Sequence, residues 1–284
     1  MVKYTGTNEE WNKNWQMREE AHYTHWTKDT PNNQIQLAFR NHWLLFNTFM
    51  ESSLFNGGKR VLEVGCGRGS LSSYFSDAGY DCTLLDLSPD VIKIAQEIFS
   101  KNDLAANFVV GDAYNLDLKD SSFDLVFSIG VFEHFEDIVT PIKEQIRILD
   151  SGGLFIAYIV PEYTNNVQND YEWVNSLLKG YMKSKGPDSL QIDKHEVYRS
   201  DRGSEKYLPI LEQCGLSSVS ASGVYPVPMI SHSIDFPFSL MPSESELSLV
   251  KHLEKMLKLN TGFPHPWMCE EGKGNAFVVW GYKD

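Results

Sequence analysis

Positive charge is scarce in this chain of 284 residues, where 25 lysines and arginines face 38 aspartates and glutamates for a formal net charge of −13. Affinity for nucleic acid comes largely from Lys and Arg on phosphates, so this balance argues against a nucleic-acid partner and for a small-molecule one. Cysteine is sparse too. Cys66, Cys82, Cys214 and Cys269 are scattered without metal-ligand spacing, which reads as four free thiols in a reducing, cytoplasmic compartment. No apolar run approaches the ~18 residues of a membrane span, and the opening Met-Val-Lys-Tyr-Thr-Gly has no signal-peptide character. No membrane partner is expected. Two phosphate-binding signatures are also missing: no glycine-rich loop ends in Gly-Lys-Ser/Thr, and no strand runs into Gly-x-Gly-x-x-Gly.

What the chain does have is Val61-Leu-Glu-Val-Gly-Cys-Gly-Arg-Gly69, a short apolar strand running into a turn with glycines at 65, 67 and 69. Without Cβ atoms the turn can take left-handed dihedrals and let a ligand lie against bare backbone. A following helix would offer unpaired N–H groups to that ligand. Asp86 closes the next strand, where a carboxylate accepts hydrogen bonds from ribose hydroxyls. Glu63, two residues before the first glycine, repels pyrophosphate and suits an ammonium or sulfonium group. The pattern predicts a cationic nucleoside as cofactor.

Val61 to Gly69 resembles the first motif of class I S-adenosylmethionine-dependent methyltransferases, and further segments continue in register. Leu84-Leu85-Asp86-Leu87-Ser88 resembles that family's ribose-binding strand end. Gly111-Asp112-Ala113 resembles its adenine-contacting segment, Phe123 to Ser128 its fourth strand, and Glu133-His134 the loop beyond. The resemblance implies that Glu63, Gly65, Cys66, Gly67 and Gly69 face the methionine part of S-adenosylmethionine. It likewise implies Asp86 and Leu87 at the ribose, Asp112 and Ala113 at the adenine, and Ser128 at the edge of the cofactor site. His134 is the candidate base for removing the acceptor's proton; the alternative is a structural role for Glu133-His134. Ubiquinone O-methyltransferases, a similar subgroup, place a metal-ligating acid three residues before this glutamate. Gly130 stands there, so no metal is expected.

The order of elements predicts an α/β fold: a doubly wound, Rossmann-like sheet of seven strands, mostly parallel with an antiparallel last strand, helices on both faces and lid insertions. Five strands fall at Val61–Val64, Cys82–Asp86, Phe108–Val110, Phe123–Ser128 and Leu154–Val160, a sixth near Ser217–Ser222 and the last at Ala276–Tyr282. Ile35, Phe39, His42, Phe46 and Phe49 line one helical face. Residues 1–55 are expected to form an N-terminal cap, and residues 56–284 the catalytic domain with insertions at about 161–205 and 224–273. Trp11, Trp15, Tyr23 and Trp26 in the cap read either as core or as a cage for a cationic ligand. Cap and insertions are expected to enclose the acceptor while standing outside the alternating core. Tyr158, Glu162, His195, His232 and His265 lie in or beside them and read as packing or surface residues.

The function expected is methyl transfer to oxygen or nitrogen of a small molecule. Two other classes fit the motif: a methyltransferase of RNA or protein that docks through its N-terminal segment, and a noncatalytic cofactor-binding partner protein.

Overall fold

The computed structural model describes residues 26–162, 166–184, 199–230 and 241–284. Trp11, Trp15, Tyr23, His195 and His232 lie outside the described residues. Five parallel strands build the first half of the sheet: β1 (Arg60–Val64), β2 (Asp81–Asp86), β3 (Asn107–Val110), β4 (Phe123–Ile129) and β5 (Leu149–Ile159). β1 from Val61 and β4 from Phe123 are buried at consecutive rather than alternate positions, with Glu63, Asp124 and Ser128 the polar residues among them, whereas β3 at the edge is only partly covered. β6 (Leu216–Val224), β7 (Met268–Cys269) and β8 (Ala276–Lys283) extend the sheet to the order β3-β2-β1-β4-β5-β8-β6-β7. Among the described residues the sheet therefore has eight strands, one more than the sequence pattern predicts. The addition, β7, is two residues long on the outer edge, too short to leave a periodic signal. β8 runs antiparallel to both β5 and β6, and β7 antiparallel to β6.

One face of the sheet is covered by α1 (Gln34–Met50), α2 (Ser70–Asp77), α3 (Pro89–Lys101) and α7 (Ser243–Leu259), the other by α4 (Val139–Ile148) and α6 (Leu208–Gln213), while α5 (Glu172–Ser184) lies in the first insertion. Helix ends follow the sequence chemistry. Asn33 caps α1 by accepting from the N–H groups of Ile35 and Gln36, and Ser88 caps α3 with Pro89 in its first turn.

The predicted face of α1 is buried at Ile35, His42, Phe46 and Phe49, with Phe39 packed half-buried beside it. Phe46 and Phe49, with Phe39 against them, share one apolar cluster with β1, β4 and β5, and Tyr282 of β8 donates its hydroxyl proton to the Phe49 carbonyl at 2.8 Å. The second insertion joins the same cluster through Val227, Leu249, Val250, Leu253, Leu257 and Trp267. This corrects the expectation that the insertion stands outside the core: α7 has an apolar stripe with nowhere to bury it except against α1 and the sheet.

The strand order reverses between β1 and β4. In open α/β sheets ligands bind in the crevice beyond the carboxyl ends of the strands at such a switch point.

Candidate functional site

At the end of β1 the chain turns sharply, and the N–H groups of Gly65 and Cys66 both donate to the Leu85 carbonyl of β2, at 2.8 and 3.0 Å. Gly65 and Gly69 have φ of 69° and 67°, conformations that glycine reaches without steric cost. A Cβ on Gly65 would stand 2.5 Å from Cγ2 of Val131. The missing side chain thus lets the loop after β4 close onto the glycine turn across the switch point.

Asp86 is half-buried at the tip of β2. One carboxylate oxygen accepts the Gly67 N–H at 3.1 Å and the other the Ser88 N–H at 3.1 Å. These bonds fix the carboxylate between the turn and the start of α3. Burial nevertheless pushes its pKa above the ordinary value, against the pull of those N–H donors. Glu63 is buried on β1 and accepts both the N–H and the hydroxyl of Ser72 in α2. Burial, aided by the nearby Asp86 charge and opposed by the Ser72 bonds, pushes Glu63 up to about 8. Cys66 is buried and its thiol is pushed well up by burial and by Asp86 and Glu63, so it serves as an unreactive wall of the turn.

The proton on Glu63 makes a testable statement. The folded protein holds it more tightly than an unfolded chain with the ordinary value of 4.5, so stability falls as pH rises from about 4.5 through about 8. Glu63→Gln is expected to stabilise the cofactor-free protein at about pH 9, by roughly 2–4 kcal/mol, and far less at about pH 5. Thermal melts at both pH values check this, and an equal gain at each would refute it.

Beyond β3, Asp112 turns its carboxylate onto the Tyr114 N–H at 2.9 Å, and Ala113 packs half-buried against the second apolar layer. Leu87 is half-buried next to Asp86. Across the crevice Ser128 ends fully buried near the tip of β4, its hydroxyl without a hydrogen-bond partner. Glu133 and His134 lie in a 3-10 turn just beyond, with His134 Nε2 3.9 Å from Glu133 Oε1. Burial raises the Glu133 carboxyl to about 7, opposed by its contacts with backbone N–H groups and the Arg199 charge. The structure thus ties Gly65, Cys66 and Gly67 to the β2 tip, and brings the loop bearing Glu133 and His134 against Gly65 through Val131.

The insertions beside the switch point are tied down by bonds that no periodicity predicts. Ser200 donates its N–H to the Glu133 carbonyl and accepts from the Glu162 N–H, while Arg202 donates to the carbonyls of Phe135 and Glu136, both at 2.8 Å. Gln168 exchanges hydrogen bonds with the Met229 backbone in both directions. Gln34 of α1 donates through its N–H and its amide to Glu246 of α7. Glu162 is exposed; Tyr158 and His265 are buried, with His265 Nδ1 accepting the Trp267 N–H at 3.1 Å. Among the described residues, no group of three or more His, Cys, Asp or Glu could hold a metal ion. No helix there is long and apolar enough to cross a membrane.

The family model described as "Methyltransferase domain" matches residues 62–157, the segment from β1 to β5. The chain is 30% identical over 181 residues to the "Probable phthiotriol/phenolphthiotriol dimycocerosates methyltransferase 2" of Mycobacterium ulcerans, covering 60% of this chain and 67% of that protein. This chain belongs to the class I S-adenosylmethionine-dependent methyltransferases. The methyltransferase is also 37% identical over 101 residues to the 2-methyl-6-phytyl-1,4-hydroquinone methyltransferase of Synechocystis sp., covering 35% of this chain and 31% of that protein. The chain spans between 31% and 40% of the length of the first three curated relatives it matches. Among solved structures the [4+2]-cyclase SpnF aligns with a TM-score of 0.53 at 16% identity, over 99% of this chain and 98% of that one. That likeness shows the shared fold.

Proposed function

We propose that this methyltransferase moves the methyl group of S-adenosylmethionine to an oxygen or nitrogen of a small molecule. The observation that carries the reading is the acidic donor set at the switch point, Glu63 beneath the glycine turn and Asp86 bonded to the Gly67 N–H. The Asp86 carboxylate repels a phosphate and attracts a cation, and a cation beside Glu63 would favour release of the proton that burial holds there. The set fits a sulfonium nucleoside: Asp86 would hold the ribose hydroxyls with its remaining lone pairs. The turn with Glu63 would hold the methionine part, and Asp112 and Ala113 the adenine. When bound, S-adenosylmethionine supplies an electrophilic methyl group.

The protein's own share is positioning, exclusion of water and removal of a proton. His134 is the group for the last task, with the Glu133 carboxylate 3.9 Å away to stabilise its protonated form. The hydrogen bonds that tie residues 166–168, 199–202 and 225–230 to one another and to the loop after β4 support a small acceptor, since they hold both insertions beside the switch point. Some relatives are named for such acceptors: the Arabidopsis thaliana protein is a tocopherol O-methyltransferase and the Rauvolfia serpentina protein a norajmaline N-methyltransferase. Four free cysteines favour a reducing, cytoplasmic setting.

Incubation with S-adenosylmethionine and a panel of phenols, hydroquinones and amines, reading S-adenosylhomocysteine by chromatography, is the test. Turnover is expected with at least one acceptor. It should be unchanged by EDTA, because Gly130 stands where a metal-ligating acid would be needed, and it should fall by roughly 10²-fold or more in His134→Ala. Binding of S-adenosylhomocysteine without turnover of any acceptor would instead support a noncatalytic role. Loss of turnover in EDTA, restored by magnesium, would place a metal at Glu133 and His134.

A further inference from the structure

Tyr158 occupies the carboxyl end of β5 and is 2% exposed, yet its hydroxyl makes no well-formed hydrogen bond within the protein: the Trp267 indole N–H that faces it is donated to His42 Nδ1. Phenylalanine would fill the same space without burying an unpaired hydroxyl, which weakens a fold. The position is close to the chemistry. Tyr158 pairs with Ile129 of β4, and its carbonyl accepts the N–H of Gly130 at 2.9 Å, the residue that opens the loop bearing Val131, Glu133 and His134.

One aromatic ring, His42 of α1, meets the Tyr158 ring directly, edge-on with centroids 4.5 Å apart, and two more, Tyr225 and Trp267, pack on His42. Trp267 donates its indole N–H to His42 Nδ1 at 3.0 Å, which leaves the imidazole proton on Nε2. Burial drops the His42 pKa to about 3, so the ring is neutral at physiological pH. Tyr225 packs on Trp267 at 4.5 Å with the rings tilted by 31°.

Tyr225 adds an independent sign. Its φ is 63°, a left-handed conformation that a bulky aromatic residue rarely adopts. It persists because neighbours fix the backbone: its N–H donates to the Trp267 carbonyl, while its own carbonyl accepts from both the N–H and the amide of Asn275. Strain held in this way collects at functional sites. An unpaired buried hydroxyl and a strained tyrosine thus meet in one aromatic box, built from α1, the tip of β5 and the second insertion.

We propose that Tyr158 positions the methyl acceptor, its hydroxyl hydrogen-bonding to an oxygen of a small hydroxylated aromatic ring seated against His42, Tyr225 and Trp267. The proposal rests on the methyl-transfer reading above and names its acceptor class. Aromatic walls favour a planar ring by stacked and edge contacts, and the neutral His42 leaves the box without a cation of its own.

Tyr158→Phe removes one oxygen and keeps the ring, so it separates contact with the acceptor from packing. The probe is methylhydroquinone, with phenol and aniline beside it. The variant is expected to lose at least tenfold in kcat/KM for methylhydroquinone, mainly through a higher KM. It should bind S-adenosylhomocysteine within twofold of the parent by calorimetry and melt, without acceptor, at the parent's temperature or above. Equal kcat/KM in parent and variant overturns the proposal. A clearly lower melting temperature also overturns it, since the hydroxyl would then have a structural partner. If the parent binds S-adenosylhomocysteine and methylates aniline but neither phenol nor methylhydroquinone, the acceptor class is wrong while methyl transfer stands. If the parent does not bind S-adenosylhomocysteine, the reading beneath the proposal fails.

Discussion

Asp86→Ala is expected to weaken binding of S-adenosylmethionine and S-adenosylhomocysteine by roughly 30- to 1000-fold, equivalent to about 2–4 kcal/mol for two partly charge-assisted hydrogen bonds. The structure adds a second route to the same loss. The Asp86 carboxylate also holds the N–H groups of Gly67 and Ser88, so alanine frees the turn as well as removing the ribose contact. Asp86→Asn separates the two, because one amide oxygen still accepts from backbone while the charge is gone. Calorimetry on all three proteins decides: the alanine variant weakest, the asparagine variant between. An alanine variant binding as tightly as the parent would remove Asp86 from the cofactor site.

The largest expected effect on stability lies in the second insertion. Trp267 is completely buried, touches His42 and Tyr225, and donates to His42. Trp267→Ala is expected to destabilise the fold by about 3–5 kcal/mol through lost contacts and an unfilled cavity. For a chain of 284 residues that lowers the melting temperature by about 5–8 °C. Trp267→Phe, which keeps a ring but leaves His42 Nδ1 without its donor, should fall between. A melting temperature for the alanine variant within 2 °C of the parent's would show that the insertion is a detachable cover, contrary to its place in the core.

The parallel half of the sheet was legible because its signals are local. Buried strands between helices read as short apolar runs, and the glycine turn with Asp86 needs no distant information. Leu216–Val224 was half legible: serines at 217, 218, 220 and 222 blur its alternation. What could not be read was pairing over long separations. Nothing adjacent in sequence tells that His42 receives the Trp267 indole proton or that Gln34 is held by Glu246. His42 was visible as an apolar-face residue, its polar edge unexplained. Tyr158 looked like packing because sequence shows burial but not an unsatisfied oxygen. The left-handed Tyr225 gave no warning either, since Tyr-Pro reads as extended chain and tertiary bonds hold it otherwise.

The two-way bond between Gln168 and the Met229 backbone bears on how such a protein could be recombined. The first insertion stands on two feet. Gln168, with the Val167 N–H on the Lys273 carbonyl, rests on the second insertion, and Ser200 with Arg202 rests on the loop after β4. A chimaera that imports the second insertion alone from a relative takes away the first foot, unless the donor's chain trace passes the same point. Acceptor preference would then be exchanged by transplanting both insertions together, as a linked cassette, while the strands from β1 to β5 with their cofactor turn stay in the recipient.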